Sequence, residues 1–508
     1  MREWLEPLHD ADGMRATDAW AITDQGVPSL QLMEAAGAAL SEAVVALAPS
    51  GPIRIVCGKG NNGGDGLVCA RLMRERGFEV EALLLWPRDE LSPDAAANLE
   101  RFDGTTRRVE DDALGAAFPG SGAVVDAIFG TGFDGAPRSP AAEAIAAINA
   151  CEAPVVSADI ASGVDASTGE IAGAAVDADV TVAFHAAKLG HLISPGKGHT
   201  GELVVAPIGI PGGAPAAAAA GSIGSGVLAL PPRRDVGSSK FSSGQVLLIG
   251  GSRGLTGAIA LAASAAIRAG AGYATVAVPA DLEPILEAKL TEVMTAGIEC
   301  DGGAFAAGSH VQALAVAERA AAIVLGPGLG RSAGAQAMAV SAIAEAAAPL
   351  VIDADGLIAL DGRLDVVAGR KGPTVLTPHS GELGRLLGRP REEVEAKRLA
   401  GAREAAAAAR GVVVLKGDDT LVVDGRSADL PVAVNTLASP ALATAGTGDV
   451  LAGTIGALIA RGLDPFDAAC GGVFAHARAG RVAAERVGAA ESVIAGDVVD
   501  ALAAGLKP

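Results

Sequence analysis

Aromatic side chains are scarce: ten Phe, three Trp and a single Tyr in 508 residues. The core must therefore be built from Ala, Val, Leu and Ile. Cysteine is sparse as well, and its five copies (Cys57, Cys69, Cys151, Cys300, Cys470) are odd in number and contain no C-x-x-C pair. That pattern is neither a disulfide framework nor a zinc site. Cys57 and Cys69 flank a glycine turn, and both read as small buried residues. Positive charge is outnumbered, 39 Lys and Arg against 59 Asp and Glu, for a net charge of −20. A nucleic-acid partner needs a basic footprint and is not expected; a small phosphorylated ligand needs only local N–H groups. No apolar run reaches the ~18 uninterrupted residues of a spanning helix, so no membrane partner is expected. The opening Met1-Arg2-Glu3-Trp4-Leu5-Glu6-Pro7 has no basic stretch leading into an apolar one. It does not read as a signal peptide, and a cytoplasmic protein is expected.

What the chain has in abundance is glycine, 68 copies. Two clusters stand out: Gly58-Lys59-Gly60-Asn61-Asn62-Gly63-Gly64-Asp65-Gly66 and Ala445-Gly446-Thr447-Gly448-Asp449. Each lies between an apolar strand pattern and a helix. A helix N-terminus offers unpaired N–H groups and a favourable dipole, so each turn is a candidate anion site. The length suits two domains, at ~100–200 residues each with α/β folds running larger.

Short apolar runs alternate with helical stretches throughout. Ile53–Cys57, Val80–Leu85, Ala123–Asp126, Pro154–Asp159, Val180–Phe184 and Leu203–Ala206 read as strands, several of them apolar on both faces. An amphipathic helix with Ser29 as candidate N-cap precedes them. Gln245–Ile249, Tyr273–Val278, Ala322–Leu325, Leu350–Ile352, Thr374–Leu376 and Val412–Leu415 form a second series, separated by alanine-rich helices such as Ala258–Ala269 and Ala400–Ala409. Between the two series lies a Pro, Gly and Ala-rich stretch. The expected division is a domain at 1–215, a linker at 216–226 and a domain at 227–508, both domains α/β with mostly parallel sheets. There is no fixed-period repeat.

In the first domain, Gly58-x-Gly60-x-x-Gly63 satisfies a dinucleotide-type fingerprint in a strand-then-helix context. Asp126 and Asp159 close two other strands, followed by Gly130-Thr131-Gly132 and Ser162-Gly163. Carboxyl ends of parallel strands face one crevice, so Asn62, Asp126, Asp159 and Ser162 are placed to converge. Such hard oxygen ligands suit an alkali or alkaline-earth cation better than zinc. The alternative is that the aspartates merely cap helices or turns.

These segments resemble the YjeF N-terminal family, the NAD(P)H-hydrate epimerases: Asn61-Asn62-Gly63-Gly64-Asp65-Gly66-Leu67, Asp126-Ala127-Ile128-Phe129-Gly130-Thr131-Gly132 and Asp159-Ile160-Ala161-Ser162-Gly163-Val164-Asp165. The start of the helix, Leu30–Gly37, fits the family too. The resemblance implies a Rossmann-like three-layer domain that interconverts the R and S hydrates of NADH and NADPH. It further implies K+ at Asn62, Asp126 and Ser162. The substrate would lie on Asn61, Asn62, Gly63, Gly64 and Asp65, on Gly130, Thr131, Gly132, Phe133, Asp134, Gly135 and Ala136, and on Asp159, which becomes the acid/base candidate. Ala161 stands where the family usually has proline, which loosens that turn. Lys188 matches a basic position of the family; a solvated surface lysine is the alternative.

In the second domain, the helix opened by Gly446-Thr447-Gly448 carries Asp449 in its first turn. Its N–H groups can stabilise an anion that develops in phosphoryl transfer, and Asp449 can take a proton from an attacking hydroxyl. A Walker A sequence is absent. Asp449 is otherwise an ordinary helix-start acid, and His379 by itself reads as a core or capping histidine. Together with Val414-Leu415-Lys416-Gly417-Asp418-Asp419-Thr420, Asn435 and Gly326-Pro327-Gly328-Leu329-Gly330, these segments resemble the ribokinase-like superfamily, in its YjeF C-terminal branch of ADP-dependent NAD(P)H-hydrate dehydratases. The resemblance implies a ribokinase-like α/β domain. The nucleotide would lie on Lys416, Gly417, Asp418, Asp419, Thr420 and Gly448, and the hydrate on Ala258, Gly328 or Leu329, His379 and Asp449. ADP would be the co-substrate and Mg2+ would accompany its phosphates. Ser380 replaces a usual proline, and Thr436-Leu437-Ala438-Ser439 replaces a more glycine-rich run.

One domain would then supply the isomer that the other consumes, with a homo-oligomer expected. Three rivals predict otherwise. A sugar, hydroxymethylpyrimidine or pyridoxal kinase would give a stable phosphorylated product. A dehydrogenase would carry an acid after its second strand, where Trp86-Pro87-Arg88-Asp89 is unconvincing. A scaffold of mRNA decay fits neither the −20 charge nor the intact Asp126 and Asp159.

Overall fold

The computed structural model describes residues 2–109, 115–215 and 218–508. The chain divides into two compact units, Pro7–Ala220 and Met1–Glu6 together with Gly221–Pro508. Of the expected linker, residues 216 and 217 lie outside the described residues. Ala220–Ile223 is a strand and Ser225–Ala229 a 3-10 turn. The opening residues group with the second unit, where Trp4 O accepts from Gly224 N at 3.2 Å.

In the first unit, alternate residues of the short central strands point to opposite faces, and each face is covered by helix. Ile53, Ile55 and Cys57 pack with Leu32, Ala36 and Leu40 of the helix Ser29–Ala46, while Val56 and Val124 pack with Ala141, Ile145 and Ile148 of Ala141–Asn149. Burial on both faces is what a parallel sheet requires. In space the strands run Thr105–Arg108, Val80–Leu84, Ile53–Cys57, Ala123–Ala127, Val155–Ala158, Val180–Phe184 and Glu202–Ala206, all parallel. The chain builds outward from Ile53–Cys57, then returns to its other side at Ala123–Ala127. That reversal is the topological switch point of a doubly wound sheet, where a crevice opens between neighbouring strand ends. Ser29 is not the cap of its helix: it is the first helical residue, and extended Pro28 before it (φ −61°, ψ 133°) makes no side-chain capping bond.

The second unit is built on an eleven-stranded mixed sheet. Its parallel part orders Val412–Leu415, Thr374–Leu376, Leu350–Ile352, Ala322–Leu325, Gln245–Ile249, Tyr273–Pro279 and Met294–Ile298. Leu421–Asp424 and Val432–Val434 then add antiparallel strands. The helices Thr256–Arg268 and Thr447–Ala460 lie against each other, their alanines and glycines allowing close approach. No helix of the described residues is long and apolar enough to cross a membrane.

Candidate active sites

At the switch point of the first unit a cleft of 600 Å³ opens. Its floor is set by backbone: Gly58 N donates to Ala127 O at 2.9 Å. A Cβ on Gly58 would sit 1.9 Å from Ile128 O, and one on Gly63 would sit 2.0 Å from Gly58 O. Gly63 and Gly64 are thus glycines by close packing and are buried. Asn61, Asn62, Asp65, Gly130, Thr131, Gly132, Phe133 and Asp134 do line the cleft. Gly135 and Ala136 are exposed beyond it. Phe133 stacks on Phe129 at 4.3 Å between ring centres, which steadies the glycine turn carrying Thr131.

Beneath the floor, Asp126 is fully buried and accepts from Ser162 Oγ (2.6 Å), Ser162 N (2.9 Å), Ser157 Oγ (2.9 Å) and Ile128 N (3.2 Å). None of these donors is a cation, and burial pushes the carboxyl upward despite them. Asn62 is buried as well, and among the described residues its Nδ2 has no hydrogen-bond partner. Asn62 Oδ1 and Asp159 Oδ2 both close on Gly130, where a Cβ would meet them at 3.1 and 3.2 Å.

Asp159 occupies a left-handed backbone position (φ 66°) just past its strand, which turns its carboxylate into the cleft. Thr131 N (3.0 Å) and Thr131 Oγ1 (2.5 Å) donate to Oδ2, while Phe184 N (3.3 Å) and Lys188 Nζ (2.5 Å) donate to Oδ1. Burial alone would raise its pKa, but the Lys188 charge and these donors pull it down to about 2. The surface reading of Lys188 is therefore wrong: the side chain is 1% exposed, with its ammonium also donating to Phe184 O at 2.9 Å. The apolar strand end at Phe184 carries it into the interior, where Asp159 offsets its desolvation. His191 fixes the other side of the same turn. Its Nδ1 accepts from Lys188 N, so Nε2 carries the proton toward Asp159 O at 2.8 Å, and burial holds the ring neutral, near 4. An aspartate held near 2 is a fixed charge and a weak base. Two further acids in the cleft wall, Asp18 and Asp65, are held in the opposite sense: burial, then Asp159, pushes both upward, Asp18 to about 6.

In the second unit, Asp449 lies in the first turn of Thr447–Ala460 after Gly446 in the left-handed region (φ 91°). Burial first, then Asp353, raises its carboxyl to about 7; Lys416 opposes the rise. Lys416 is anchored by Asp353 Oδ1 (2.9 Å) and lies 3.7 Å from Glu382 Oε2. Burial would lower its pKa, but these acids raise it, so it stays charged. A Cβ on Gly448 would lie 3.5 Å from that ammonium, so the glycine turn and the end of Val412–Leu415 meet. A Cβ on Gly328 would lie 3.1 Å from Ala258 Cβ, which joins Ala258 to the segment containing buried Leu329. His379 caps the helix Ser380–Leu387, its Nδ1 accepting from Gly381 N and Glu382 N, with the ring 60% exposed. Asp419 turns inward onto Arg398 (2.8 Å), and Thr420 Oγ1 donates to Gly417 O (2.7 Å), so these two residues shape the loop. Asp353 and Asp355 escaped notice in the sequence although Asp353 follows the strand Leu350–Ile352 directly, as Asp159 follows its own, and Asp355 opens the next helix, Asp355–Leu360. Asp355 accepts from Gly330 N at 2.9 Å, and Ala354 between the two acids is itself left-handed (φ 47°).

Two α/β units, each setting a carboxylate of shifted pKa beside a helix-start glycine turn, define a bifunctional enzyme. Residues 29–190 match the YjeF-related protein N-terminus family, and residues 246–503 match the NAD(P)H-hydrate dehydratase family. The chain is 38% identical over 520 residues to the bifunctional NAD(P)H-hydrate repair enzyme Nnr of Moorella thermoacetica, covering 97% of this chain and 96% of that one. It is 38% identical over 529 residues to the enzyme of the same name from Salinibacter ruber, covering 97% and 95%. Among solved structures, it is similar to an ADP/ATP-dependent NAD(P)H-hydrate dehydratase from Bacillus subtilis co-crystallised with ATP/Mg2+, at 31% identity, 55% and 94% coverage and a TM-score of 0.46. The chain belongs to the family of bifunctional NAD(P)H-hydrate repair enzymes.

Proposed function

We propose that the first unit epimerises the R and S hydrates of NADH and NADPH, and that the second dehydrates the S hydrate with ADP, giving NAD(P)H, AMP and phosphate. The observation that carries this reading is the opposed tuning of Asp159 and Asp449, one held as an anion and the other poised near neutrality.

Water added to a reduced nicotinamide leaves a hydroxyl on the carbon next to the ring nitrogen. Losing that hydroxyl gives a planar ring cation, and re-addition from the other face inverts the centre. The fixed Asp159 carboxylate is placed to stabilise such a cation, while the N–H groups of 61–65 and 130–132 suit the phosphates. Asp65 fits a phosphate poorly, since Asp18, Asp94, Asp134 and Asp159 line the same cleft; the ribose is its better partner. Asn62, Asp126 and Ser162 offer the hard oxygen atoms that suit K+, and Asp126 is a buried carboxylate with no cation among its donors; a bound K+ would have to displace the Ser157 or Ser162 hydroxyl from it. When bound, K+ would supply positive charge that offsets the Asp126 carboxylate and favours an anionic ligand.

In the second unit, Asp449 is the base that takes the hydroxyl proton as the oxygen attacks the β-phosphorus of ADP and AMP leaves. The phosphate ester then departs as phosphate, the ring nitrogen supplying the electron pair, and the neighbouring carbon loses a proton. Hydroxide is a poor leaving group, and phosphorylation replaces it with a better one. The loop Lys416–Thr420 and Gly448 are proposed to hold the nucleotide, with Lys416 the positive charge and Mg2+ accompanying the phosphates. Ala258, Leu329 and His379 are proposed to contact the hydrate. The outer edge strand Glu202–Ala206 exposes Val204 and Val205, which supports self-association.

The test is recovery of nicotinamide absorbance from a mixed R/S hydrate with ADP, Mg2+ and K+. Wild type recovers all of it, Asp449→Asn none, and Asp159→Ala only a fast phase equal to the S fraction. No nucleotide-dependent recovery in wild type, or accumulation of a stable phosphorylated hydrate, would sink the reading.

A further inference from the structure

We propose that Asp18 is the proton-transfer residue of the epimerase site, giving a proton to the hydroxyl that leaves the ring and, in the reverse direction, taking one from the water that adds; this rests on the epimerase reading above. Asp18 lies on the helix Ala11–Thr23, before the sheet begins, and lines the same 600 Å³ cleft as Asn62, Thr131 and Asp159.

The reaction needs a group that can both give and take a proton, and the other acids of the cleft are committed. Asp159 is locked as an anion by Lys188 and Thr131. Asp126 is beneath the floor with its oxygens filled by four donors. Asp65 is buried on Asn61–Glu75, where burial and then Asp159 push its carboxyl upward and little of it reaches solvent. Asp18 has no hydrogen-bond donor among the described residues, and its oxygens are free to meet a ligand. The charged groups around it come from several elements. Asp159 raises its pKa and Lys188, from the turn before Leu189, lowers it; Asp65 and Asp94 line the same cleft. On its own helix, Arg15 is paired with Asp12, and Lys59 at the cleft mouth is paired with Glu90. Burial first, then Asp159, leaves Asp18 at about 6, where both protonation states are populated near neutral pH.

The step balances without a redox partner. Protonated Asp18 gives its proton to the hydroxyl as the carbon–oxygen bond breaks, its electron pair going to oxygen; water departs and the nitrogen lone pair forms the carbon–nitrogen double bond. Water then adds to the other face, its electron pair forming the new carbon–oxygen bond while the nitrogen recovers its lone pair. The added water loses a proton to solvent, and solvent reprotonates Asp18. The reverse direction uses the same groups.

The experiment measures conversion of purified S hydrate to the R/S mixture without nucleotide, across roughly pH 5 to 9. It uses the whole chain as wild type, Asp18→Asn and Asp18→Glu. Dehydration of the S hydrate by the other unit, with ADP and Mg2+, reports folding of each preparation. Asp18→Asn is expected to lose about 10²-fold in kcat, with KM little changed, and to lose the pH limb near 6. Asp18→Glu is expected to keep that limb at a displaced midpoint. A wild-type rate in Asp18→Asn, or a reduced rate that retains the limb, overturns the inference. Should Asp18→Asn also lose dehydration, Asp18→Glu decides: an undisplaced limb overturns the proposal. Wild type that never converts S to R overturns the epimerase reading itself.

Discussion

Asp159 and Asp449 illustrate how far surroundings can separate two identical side chains. Asp159, beside Lys188, is held at about 2; Asp449, desolvated and facing Asp353, is raised to about 7. Dehydration should therefore increase with pH through a limb centred near 7 in the free enzyme, as Asp449 ionises. A kcat/KM profile that is flat from acid to alkaline pH would contradict it. The same shift has a stability consequence. A carboxyl whose folded pKa lies above its unfolded one binds more protons in the native state, so stability falls as pH rises between about 4 and about 7. Asp449→Asn should then raise the Tm of its unit by a few °C above neutral pH, on the order expected when strain at an active site is relieved. Asp159 has the opposite sign: its depressed pKa stabilises the fold above about 4, a contribution lost as pH falls toward 2. Removing the partner with Lys188→Met should cost about 3–5 kcal/mol by leaving a buried carboxylate unpaired, measured by denaturant unfolding, whereas Lys188→Met with Asp159→Asn should recover much of it. The sequence displayed the acids because they end strands and open helices. It hid Lys188, because a lysine after Phe184-His185-Ala186-Ala187 looks like any exposed cation until the sheet is assembled. It hid Asp18 because that acid lies on a helix that joins no glycine motif.

Elements buried on both faces were the legible ones. Every strand segment expected from its apolar run appears, with ends within one residue of those expected. Among the segments that were missed, four show why. Thr105–Arg108 and Met294–Ile298 are sheet edges, where partial solvent exposure removes the demand for apolar residues. Leu421–Asp424 and Val432–Val434 are buried, but they follow a polar loop so closely that they read as part of it. Helix contacts carry a further constraint that periodicity does not record. A Cβ on Gly453 of Thr447–Ala460 would sit 2.0 Å from Ala262 O on the neighbouring Thr256–Arg268. Both helices begin at the proposed site, one with Asp449 and the other with Ala258. Gly453→Ala should thus cost about 1–3 kcal/mol through overpacking and lower dehydratase kcat although it touches no ligand. Unfolding and steady-state rates of this variant check both; full activity with wild-type stability would show that the helices can separate freely.

The fused chain joins two reactions whose chemistry interlocks: the dehydratase consumes one isomer, and the epimerase replaces it. With 39 Lys and Arg against 59 Asp and Glu, the molecule carries a net charge of −20, yet its substrates are anions. Binding must therefore rely on local N–H groups at helix starts and on the few cations held in place, such as Lys416. Added salt should screen the repulsion between the net charge and the ligands, lowering KM for the hydrate before it weakens the local contacts. Division of labour between the units makes a sharper forecast. Asp449→Asn keeps an intact epimerase, and Asp159→Ala keeps an intact dehydratase. If the isomer is released to solvent between steps, the two variants mixed should restore full recovery from an R/S hydrate, although neither achieves it alone. The slow phase should then scale with the concentration of Asp449→Asn, because that chain supplies the isomer. Recovery that stops at the S fraction in the mixture would mean that the hydrate is passed within one molecule or assembly, and the slow phase of wild type would then be independent of added Asp449→Asn.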